Sequence, residues 1–303
     1  MALRMGIVGA GMVGSHVAIR ALRQGLEVCI VARDPEATRA RFAESVKTTG
    51  DAFDPHALRI DASYAILAET DLVYESIPER LELKQALFRG LEDVLGADIP
   101  LVSGTSSLSP AQLGAEMRTP QRLFVAHFIH PVTTVNLAEV LSPAAPDVTA
   151  RATFEAWLRE MELDAIVLDR AVPGFIVNRL QFAILREAVS LVTSGVASAA
   201  NVDRIITHGL GPRWTATGPL ASMDLAGTPL FRDVAAIIAP TLENGTMTDH
   251  LDAYIAEGRL GAAAGAGLRN WEPGDIARAI DARRKSYAFA AELHANGDIP
   301  ADV

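Results

Sequence analysis

Short apolar segments alternate with longer amphipathic ones through the first half of the chain, and this alternation predicts its architecture. Segments rich in β-branched residues predict strands at 5–10, 27–32, 72–76, 101–103, 123–128, 138–141 and 165–168. Apolar positions three and four residues apart predict helices between them, among others over 35–47, 81–94 and 148–160. Because strands joined through helices run parallel, we predict an α/β fold with a mostly parallel, doubly wound sheet.

The pattern changes after the last predicted strand. Pro173-Gly174 interrupts the chain, and 175–195 then carries apolar residues at helical spacing. No strand-like alternation follows this helix in the sequence. We therefore predict two domains, 1–172 and 173–303, of which the second is all-helical.

The composition fits a two-domain protein with a small-molecule ligand. Half of the 303 residues are hydrophobic, which is enough for two cores. The net charge of −10 leaves no basic surplus for a nucleic acid or an anionic membrane. The single cysteine, Cys29, lies in an apolar segment and has no partner for an intramolecular disulfide, which fits a reducing cytoplasm. No apolar run is long enough to predict a membrane span or a signal peptide.

The second domain carries more apolar surface than a domain of its size needs. Its helices include apolar residues at Leu185, Leu191 and 220–225. Exposed apolar faces of this extent commonly mark an interface between subunits. We therefore predict a homodimer formed through this domain.

A glycine-rich turn follows the first predicted strand and opens a helix. In such a turn the first glycine permits a tight bend, the second lets a pyrophosphate approach, and the third lets the helix pack against the strand. A turn that merely packs is the alternative. The context favours a Rossmann-type dinucleotide site, with cofactor contacts from Gly9, Gly11, Met12, Val13 and Gly14.

The end of the second strand bears on the choice of cofactor. An acidic residue there binds the free hydroxyls of the NAD ribose, whereas this strand ends in Ala32-Arg33. A guanidinium can bind a 2′-phosphate through two hydrogen bonds, so we predict a preference for NADP over NAD. Alternatively, Arg33 is a solvated loop residue and Asp34 binds the ribose.

Two ionisable residues lie in the paired apolar segments of 123–141. His127 is surrounded by apolar residues, where an imidazole must find a hydrogen-bond partner, and Glu139 could supply it. A histidine held by a carboxylate has a fixed tautomer and is suited to act as a general base. A structural histidine in the core, beside a glutamate on the surface, is the alternative that these two residues alone leave open.

Further candidates follow the ends of other strands or begin a helix. Glu79 and Lys84 lie where loops at the carboxyl ends of parallel strands meet a cofactor, although their spacing alone favours a surface ion pair. Ser106 belongs to a serine-rich turn that either binds a ligand or is simply a turn. Asn178, near the start of the helix after Pro173, either bonds a substrate oxygen or braces the domain junction.

Five motifs occur in the order found in one enzyme family. They are GAGMVG at Gly9–Gly14, YESIPER at Tyr74–Arg80, SGTSSLS at Ser103–Ser109, AHFIHP at Ala126–Pro131 and PGFIVNRL at Pro173–Leu180. The chain resembles the L-3-hydroxyacyl-CoA dehydrogenase superfamily over nearly its full length. The resemblance implies that His127 is the catalytic base and Glu139 its partner. It also implies substrate-oxygen contacts from Ser106 and Asn178, and cofactor contacts from Glu79, Lys84 and Ser106.

Three features depart from the family pattern. His130 stands where the family usually has an asparagine near the nicotinamide, so its cofactor contact is in question. The segment between Ala32 and Asp71 is too short for the helical hairpin that holds CoA, and the glycine-rich run Gly258–Gly267 lacks a nearby lysine.

From Pro173 onward the chain is more similar to the branch that contains lambda-crystallin (L-gulonate 3-dehydrogenase), carnitine dehydrogenase and diketoreductase. This similarity is clearest in GLGPRWTATGPL at Gly209–Leu220. It implies a small, polar hydroxy acid as substrate, with Arg213 as a candidate for its carboxylate. Arg213 as a helix-cap or interface residue is the alternative.

The expected function is therefore a reversible hydride transfer between a nicotinamide cofactor and the secondary alcohol of a small 3-hydroxy acid, without a metal. An acyl-CoA dehydrogenase would share all five motifs. A dinucleotide-binding protein with a structural or sensing role and no chemistry is an alternative of another class.

Overall fold

A sheet of eight strands organises the first of two units into which the chain divides between Arg179 and Leu180. The computed structural model describes residues 3–49, 53–245 and 247–295, and the strands are those within these ranges. They are β1 (Arg4–Val8), β2 (Glu27–Val31), β3 (Leu58–Asp61), β4 (Leu72–Glu75), β5 (Leu101–Ser103), β6 (Leu123–Phe128), β7 (Leu137–Leu141) and β8 (Asp164–Val167).

The strand order is β3-β2-β1-β4-β5-β6-β7-β8. Every neighbouring pair is parallel except β6 and β7, which are antiparallel. The mostly parallel sheet predicted from the sequence is confirmed.

The sheet is buried on both faces because alternate residues of its strands contribute to different hydrophobic clusters. In β2, Val28 and Ile30 belong to one cluster, whereas Cys29 and Val31 belong to the other. The first unit also contains α1 (Met12–Arg23), α2 (Pro35–Thr49), α3 (Leu81–Leu91), α4 (Pro110–Leu113) and α5 (Val148–Glu160). Residues of α1 and α5 complete the first cluster and residues of α3 the second, as in a doubly wound sheet.

The sequence reasoning missed β3 and extended four strands too far at their carboxyl ends, namely those predicted at 5–10, 27–32, 72–76 and 165–168. Strand β3 is an outermost strand of the sheet, and only Ile60 of its residues is buried. Its sequence therefore lacks the apolar character of an interior strand. The first strand ends at Val8 rather than at residue 10, because Gly9 turns the chain with a φ of 97°. The second ends at Val31, and Ala32 follows it in the loop.

A buried arginine holds the connection between β6 and β7 against α1. Arg20 donates from Nη1 to the carbonyl oxygen of Val132 (3.1 Å) and to Oδ1 of Asn136 (3.0 Å). Its Nε and Nη2 donate to the carbonyl oxygens of Met161 (2.8 Å) and Glu162 (2.9 Å). These hydrogen bonds satisfy a guanidinium that would be costly to bury without partners.

The named elements of the second unit are helices in the part that the structure describes, as the sequence predicted, although isolated β-bridges join Ala266 to Gly261 and Asn270. This unit contains the rest of α6 (Phe175–Thr193), which begins in the first unit, followed by α7 (Ala199–Ile205), α8 (Gly211–Ala226), α9 (Thr228–Ile238), α10 (Met247–Ala256) and α11 (Asp275–Ala295). A break divides α8 at Gly218, which has a non-helical φ of 62° and is followed by Pro219. Among the described helices, none is long and apolar enough to cross a membrane.

Candidate active site

The candidate residues of the first unit gather at one edge of the sheet. Strands β1, β4, β5 and β6 are mutually parallel along the sheet, so their carboxyl ends meet at this edge. Gly9 follows β1, Glu79 follows β4, Ser106 follows β5, and His127 lies near the end of β6. Ligands of doubly wound proteins bind at such an edge.

His127 and Glu139 form a hydrogen-bonded pair across β6 and β7. They stand directly opposite each other in the antiparallel register, and His127 Nδ1 lies 2.9 Å from Glu139 Oε2. The side chain of Glu139 is 4% exposed and that of His127 13% exposed. An ionised carboxylate only accepts hydrogen bonds, so Nδ1 carries the proton and Nε2 is the nitrogen that can accept one.

The second carboxylate oxygen of Glu139 binds the first turn of α6. Oε1 accepts hydrogen bonds from the backbone N–H groups of Ile176 (2.7 Å) and Val177 (3.1 Å). The first N–H groups of a helix have no partner within the helix, and Glu139 satisfies two of them. Glu139 thereby connects His127 to the helical turn that carries Asn178.

Ser106 is held by its backbone on two sides. Its N–H donates to Oε1 of Glu79 (3.0 Å), and its carbonyl oxygen accepts from the N–H of Gly174 (3.0 Å). Ser106 and Asn178 are both half-buried. Neither the Ser106 hydroxyl nor the Asn178 amide hydrogen-bonds to another residue in the described ranges, so both groups are open to a ligand.

Glu79 and Lys84 do form an ion pair, but Lys84 is not on the surface, because it is only 1% exposed whereas Glu79 is 38% exposed. Lys84 Nζ lies 2.5 Å from Oε1 of Glu75, 3.3 Å from Oε2 of Glu79 and 3.3 Å from the carbonyl oxygen of Ile77. These three acceptors match the three donors of the ammonium group. Glu75, which is fully buried and also accepts from Ser103 Oγ (2.6 Å), was not identified from the sequence.

Glu79 organises the loop that contains Ser106. Its Oε1 accepts from Thr105 Oγ1 and, at 2.8 Å, from Ser107 Oγ. Burial raises the pKa of Glu79, but the hydroxyls of Thr105 and Ser107 and the charge of Lys84 together lower it below its usual value. Glu79 is therefore ionised at neutral pH.

The glycine-rich turn has the shape that a dinucleotide requires. A Cβ at Gly14 would lie 2.1 Å from the carbonyl oxygen of Gly9, so this glycine is needed for close packing. A Cβ at Gly11, by contrast, would have no atom of the described residues within 4 Å. Gly11 is the N-cap of α1, beside an exposed Met12 and a half-buried Val13. The open space at this helix terminus fits a pyrophosphate.

Arg33 and Asp34 are both exposed in the loop after β2. Asp34 Oδ1 accepts a hydrogen bond from the N–H of Ala37 (2.9 Å) and so caps α2. This contact occupies one of the carboxylate oxygens that could otherwise bind a ribose.

His130 stacks on His16 of α1, which the sequence reasoning did not single out. The ring centroids are 5.3 Å apart and the planes are inclined by 15°. Burial lowers the pKa of His16, and the neighbouring His130 lowers it further. Such a contact between α1 and a residue 114 positions later has no signal in the sequence.

Arg213 lies in the second unit, exposed in the first turn of α8. Its suggested contact with a substrate carboxylate stays a prediction. Across the ranges that the structure describes, no group of three or more histidine, cysteine, aspartate or glutamate side chains could hold a metal ion.

Two family models match successive parts of the chain. The 3-hydroxyacyl-CoA dehydrogenase NAD binding domain matches residues 4–171, and the 3-hydroxyacyl-CoA dehydrogenase C-terminal domain matches residues 174–271. The chain belongs to the 3-hydroxyacyl-CoA dehydrogenase family. The resemblance deduced from the five motifs is thus confirmed, and this dehydrogenase is an NAD-dependent oxidoreductase that acts on an alcohol carbon.

Characterised relatives cover most of this dehydrogenase. It is 30% identical to an L-carnitine dehydrogenase of Oceanobacillus iheyensis over 237 residues, which are 74% of this chain and 76% of that one. It is 29% identical to a 5-formyl-3-hydroxy-2-methylpyridine 4-carboxylate 5-dehydrogenase of Mesorhizobium japonicum over 299 residues, which are 94% and 95% of the two chains. A crystal structure of the latter type of enzyme, described as an NAD+ dependent dismutase, matches with a TM-score of 0.83 and 25% identity over 98% of this chain and 99% of that one.

The variant Gly11→Ala tests the dinucleotide site. Because the added methyl group faces open space in the described protein, it should leave the melting temperature unchanged and obstruct only a ligand. We expect the Kd for NADH to rise about tenfold or more, because a methyl group that overpacks the site costs about 1–3 kcal/mol of binding free energy. Fluorescence titration with NADH measures this. Gly90→Ala in α3, where a Cβ also meets open space, is the matched control and should bind NADH normally. Unchanged NADH affinity in Gly11→Ala would contradict the assignment.

Proposed function

We propose that this dehydrogenase oxidises the secondary alcohol of a small 3-hydroxy acid, reversibly, and that its substrate is not a CoA thioester. The hydrogen-bonded pair of His127 and Glu139 at the carboxyl edge of the sheet carries the proposal, since it is suited to proton transfer. Two relatives are named for small molecules, L-carnitine and a pyridine carboxylate, which supports a substrate of this class. The short segment between Ala32 and Asp71 supports it as well.

In the proposed reaction, His127 removes the hydroxyl proton of the substrate through Nε2. The bound nicotinamide supplies the acceptor for the hydride. The carboxylate of Glu139 keeps its contact with Nδ1–H and stabilises the positive charge that the imidazole gains. In the reverse direction, the same imidazolium returns the proton to the carbonyl oxygen.

Ser106 and Asn178 are proposed to bond the substrate oxygen. Their hydroxyl and amide groups are half-buried and open to a ligand, and the backbones around them are held by Glu79 and Glu139. Orienting the carbinol carbon in this way contributes to the rate as well as to binding. Glu79 and the glycine-rich turn are proposed to contact the cofactor. Lys84 contributes by holding Glu79, since its own donors are already used.

A comparison of substrates tests this proposal. We expect purified enzyme to oxidise free 3-hydroxy acids with production of NADH or NADPH, followed at 340 nm, and to give a much lower kcat/KM with 3-hydroxyacyl-CoA. When a site is built to bind one polar group of its substrate, a molecule that leaves the site's own polar groups unpaired has a kcat/KM about 10⁴-fold lower. Preference for the CoA thioester would favour the acyl-CoA alternative. Absence of turnover with every hydroxy acid and thioester would favour the non-catalytic one.

The variants His127→Ala and Glu139→Gln test the proton-transfer pair. Loss of a general base costs about 10²–10⁴-fold, so His127→Ala should lower kcat by that order. Glu139→Gln should lower kcat through the same step, because a neutral amide stabilises the imidazolium less. Steady-state kinetics and NADH titration should show reduced kcat with cofactor affinity retained in both variants. His56→Ala, at an exposed histidine near β3, is the matched control. Normal kcat in His127→Ala would refute its role as base.

We also propose that Arg33 binds a 2′-phosphate and gives a preference for NADP over NAD. The exposure of Arg33 and the capping contact of Asp34 support this assignment. Arg33→Glu should raise the KM for NADP about tenfold or more, since a charge-assisted hydrogen bond is worth about 1.5–3 kcal/mol, and should change the KM for NAD little. Arg159→Glu, at another exposed arginine, is the control. An unchanged ratio of kcat/KM for the two cofactors would exclude the phosphate contact.

A homodimer through the second unit is a further part of the proposal. Several large apolar side chains of α9 are exposed, including Leu230, Phe231, Val234, Ile237 and Ile238. A second copy of the chain would remove them from water. Location in the cytoplasm, expected from the single buried cysteine, stays a prediction.

A further inference from the structure

The first residue of α6, Phe175, adopts an uncommon backbone conformation. Phe175 has a φ of 45°, directly after Gly174 with a φ of 81°. A positive φ is easy for glycine but is an outlier for a bulky side chain. In the described chain, Glu162 is the other residue besides glycine with such a φ. A conformation of this kind persists only where its surroundings demand it, and it concentrates at functional sites.

The ring of Phe175 lies against the imidazole of His127. The ring centroids are 5.4 Å apart and the planes meet at 62°, so the contact is edge-to-face. Phe175 is 0% exposed, whereas His127 keeps a small exposed fraction. An edge-to-face contact with a buried ring restricts the rotation of the imidazole about its side-chain bonds.

The backbone on either side of Phe175 is bound to the other site residues. The N–H of Gly174 donates to the carbonyl oxygen of Ser106, and the N–H of Ile176 donates to Oε1 of Glu139. The N–H of Phe175 itself donates to the carbonyl oxygen of Val172 (2.9 Å). The ring position is therefore fixed relative to the same carboxylate that holds His127 Nδ1.

We propose that Phe175 is a positioning residue for the imidazole of His127. Glu139 fixes the imidazole at Nδ1, and the ring of Phe175 fixes its plane, so that Nε2 points consistently toward the substrate hydroxyl. The left-handed conformation at Phe175 allows its ring to reach His127 while its neighbours bond Ser106 and Glu139. This inference rests on the proposed role of His127 as the base.

Phe175→Leu removes the aromatic edge and keeps an apolar side chain. Phe88→Leu is the matched control, because Phe88 is equally buried in the same hydrophobic cluster and lies in α3. We expect kcat of Phe175→Leu to fall about tenfold, since small misplacements of reacting groups cost up to about 10²-fold. The KM for the hydroxy acid and the Kd for NADH should stay within about twofold of normal. Phe88→Leu should keep a normal kcat.

Side-chain NMR of the histidines gives a readout independent of activity. The signals of His127 are assigned by their loss in His127→Ala. They should shift in Phe175→Leu, because the ring current of the phenyl group is removed, and should stay unchanged in Phe88→Leu. Phe175→Met, which fills the volume without an aromatic ring, should repeat both the loss of kcat and the shift. Circular dichroism melting of each variant identifies any that does not fold.

The possible failures are distinguishable. If His127→Ala is inactive while Phe175→Leu and Phe175→Met match Phe88→Leu in kcat, the positioning role of Phe175 is overturned and the proposed function stands. If His127→Ala keeps normal turnover, the proposed function fails and the inference drawn from it fails as well.

Discussion

The negative charge of Glu139, buried between strands, is the constraint on which the rest of the site depends. Removing one partner of a buried charge typically costs about 3–5 kcal/mol, so such a group requires donors on all sides. The imidazole of His127 and two backbone N–H groups of α6 provide them. A strand, its neighbour and a helix terminus thus become mutually dependent. The arrangement that stabilises the carboxylate also fixes the tautomer of His127 and anchors the helical turn that carries Asn178.

The antiparallel pairing of β6 and β7 makes this arrangement possible. It puts His127 directly opposite Glu139, with side chains on the same face of the sheet. A shift of one residue in that register would turn either side chain to the other face. The departure from an otherwise parallel sheet therefore occurs at the strand pair that carries the proposed proton-transfer residues.

Local sequence signals predicted the glycine-rich turn and the mostly parallel sheet, and the resemblance to the family implied the pairing of His127 with Glu139. These local signals did not reveal properties that depend on the packing of distant parts of the chain. Strand β3 has a polar sequence because it lies at the edge, and Lys84 has an unremarkable spacing although it is buried against Glu75. Burial of a charge depends on what packs around it in three dimensions. The positive φ of Phe175 likewise arises from contacts with distant residues, so the identity of the residue alone does not predict it.

The hydrogen bonds of Arg20 have a consequence for how the sequence of this fold can vary. In the connection between β6 and β7, Arg20 binds the carbonyl oxygens of Val132 and Val135. After the end of α5 it binds the carbonyl oxygens of Met161 and Glu162. A main-chain oxygen stays in place when the side chain on its residue is substituted. The path of this connection can therefore be kept while its side chains are replaced one at a time, except that of Asn136, whose Oδ1 also accepts from Arg20. Chemical diversity along it needs no redesign of the scaffold beneath.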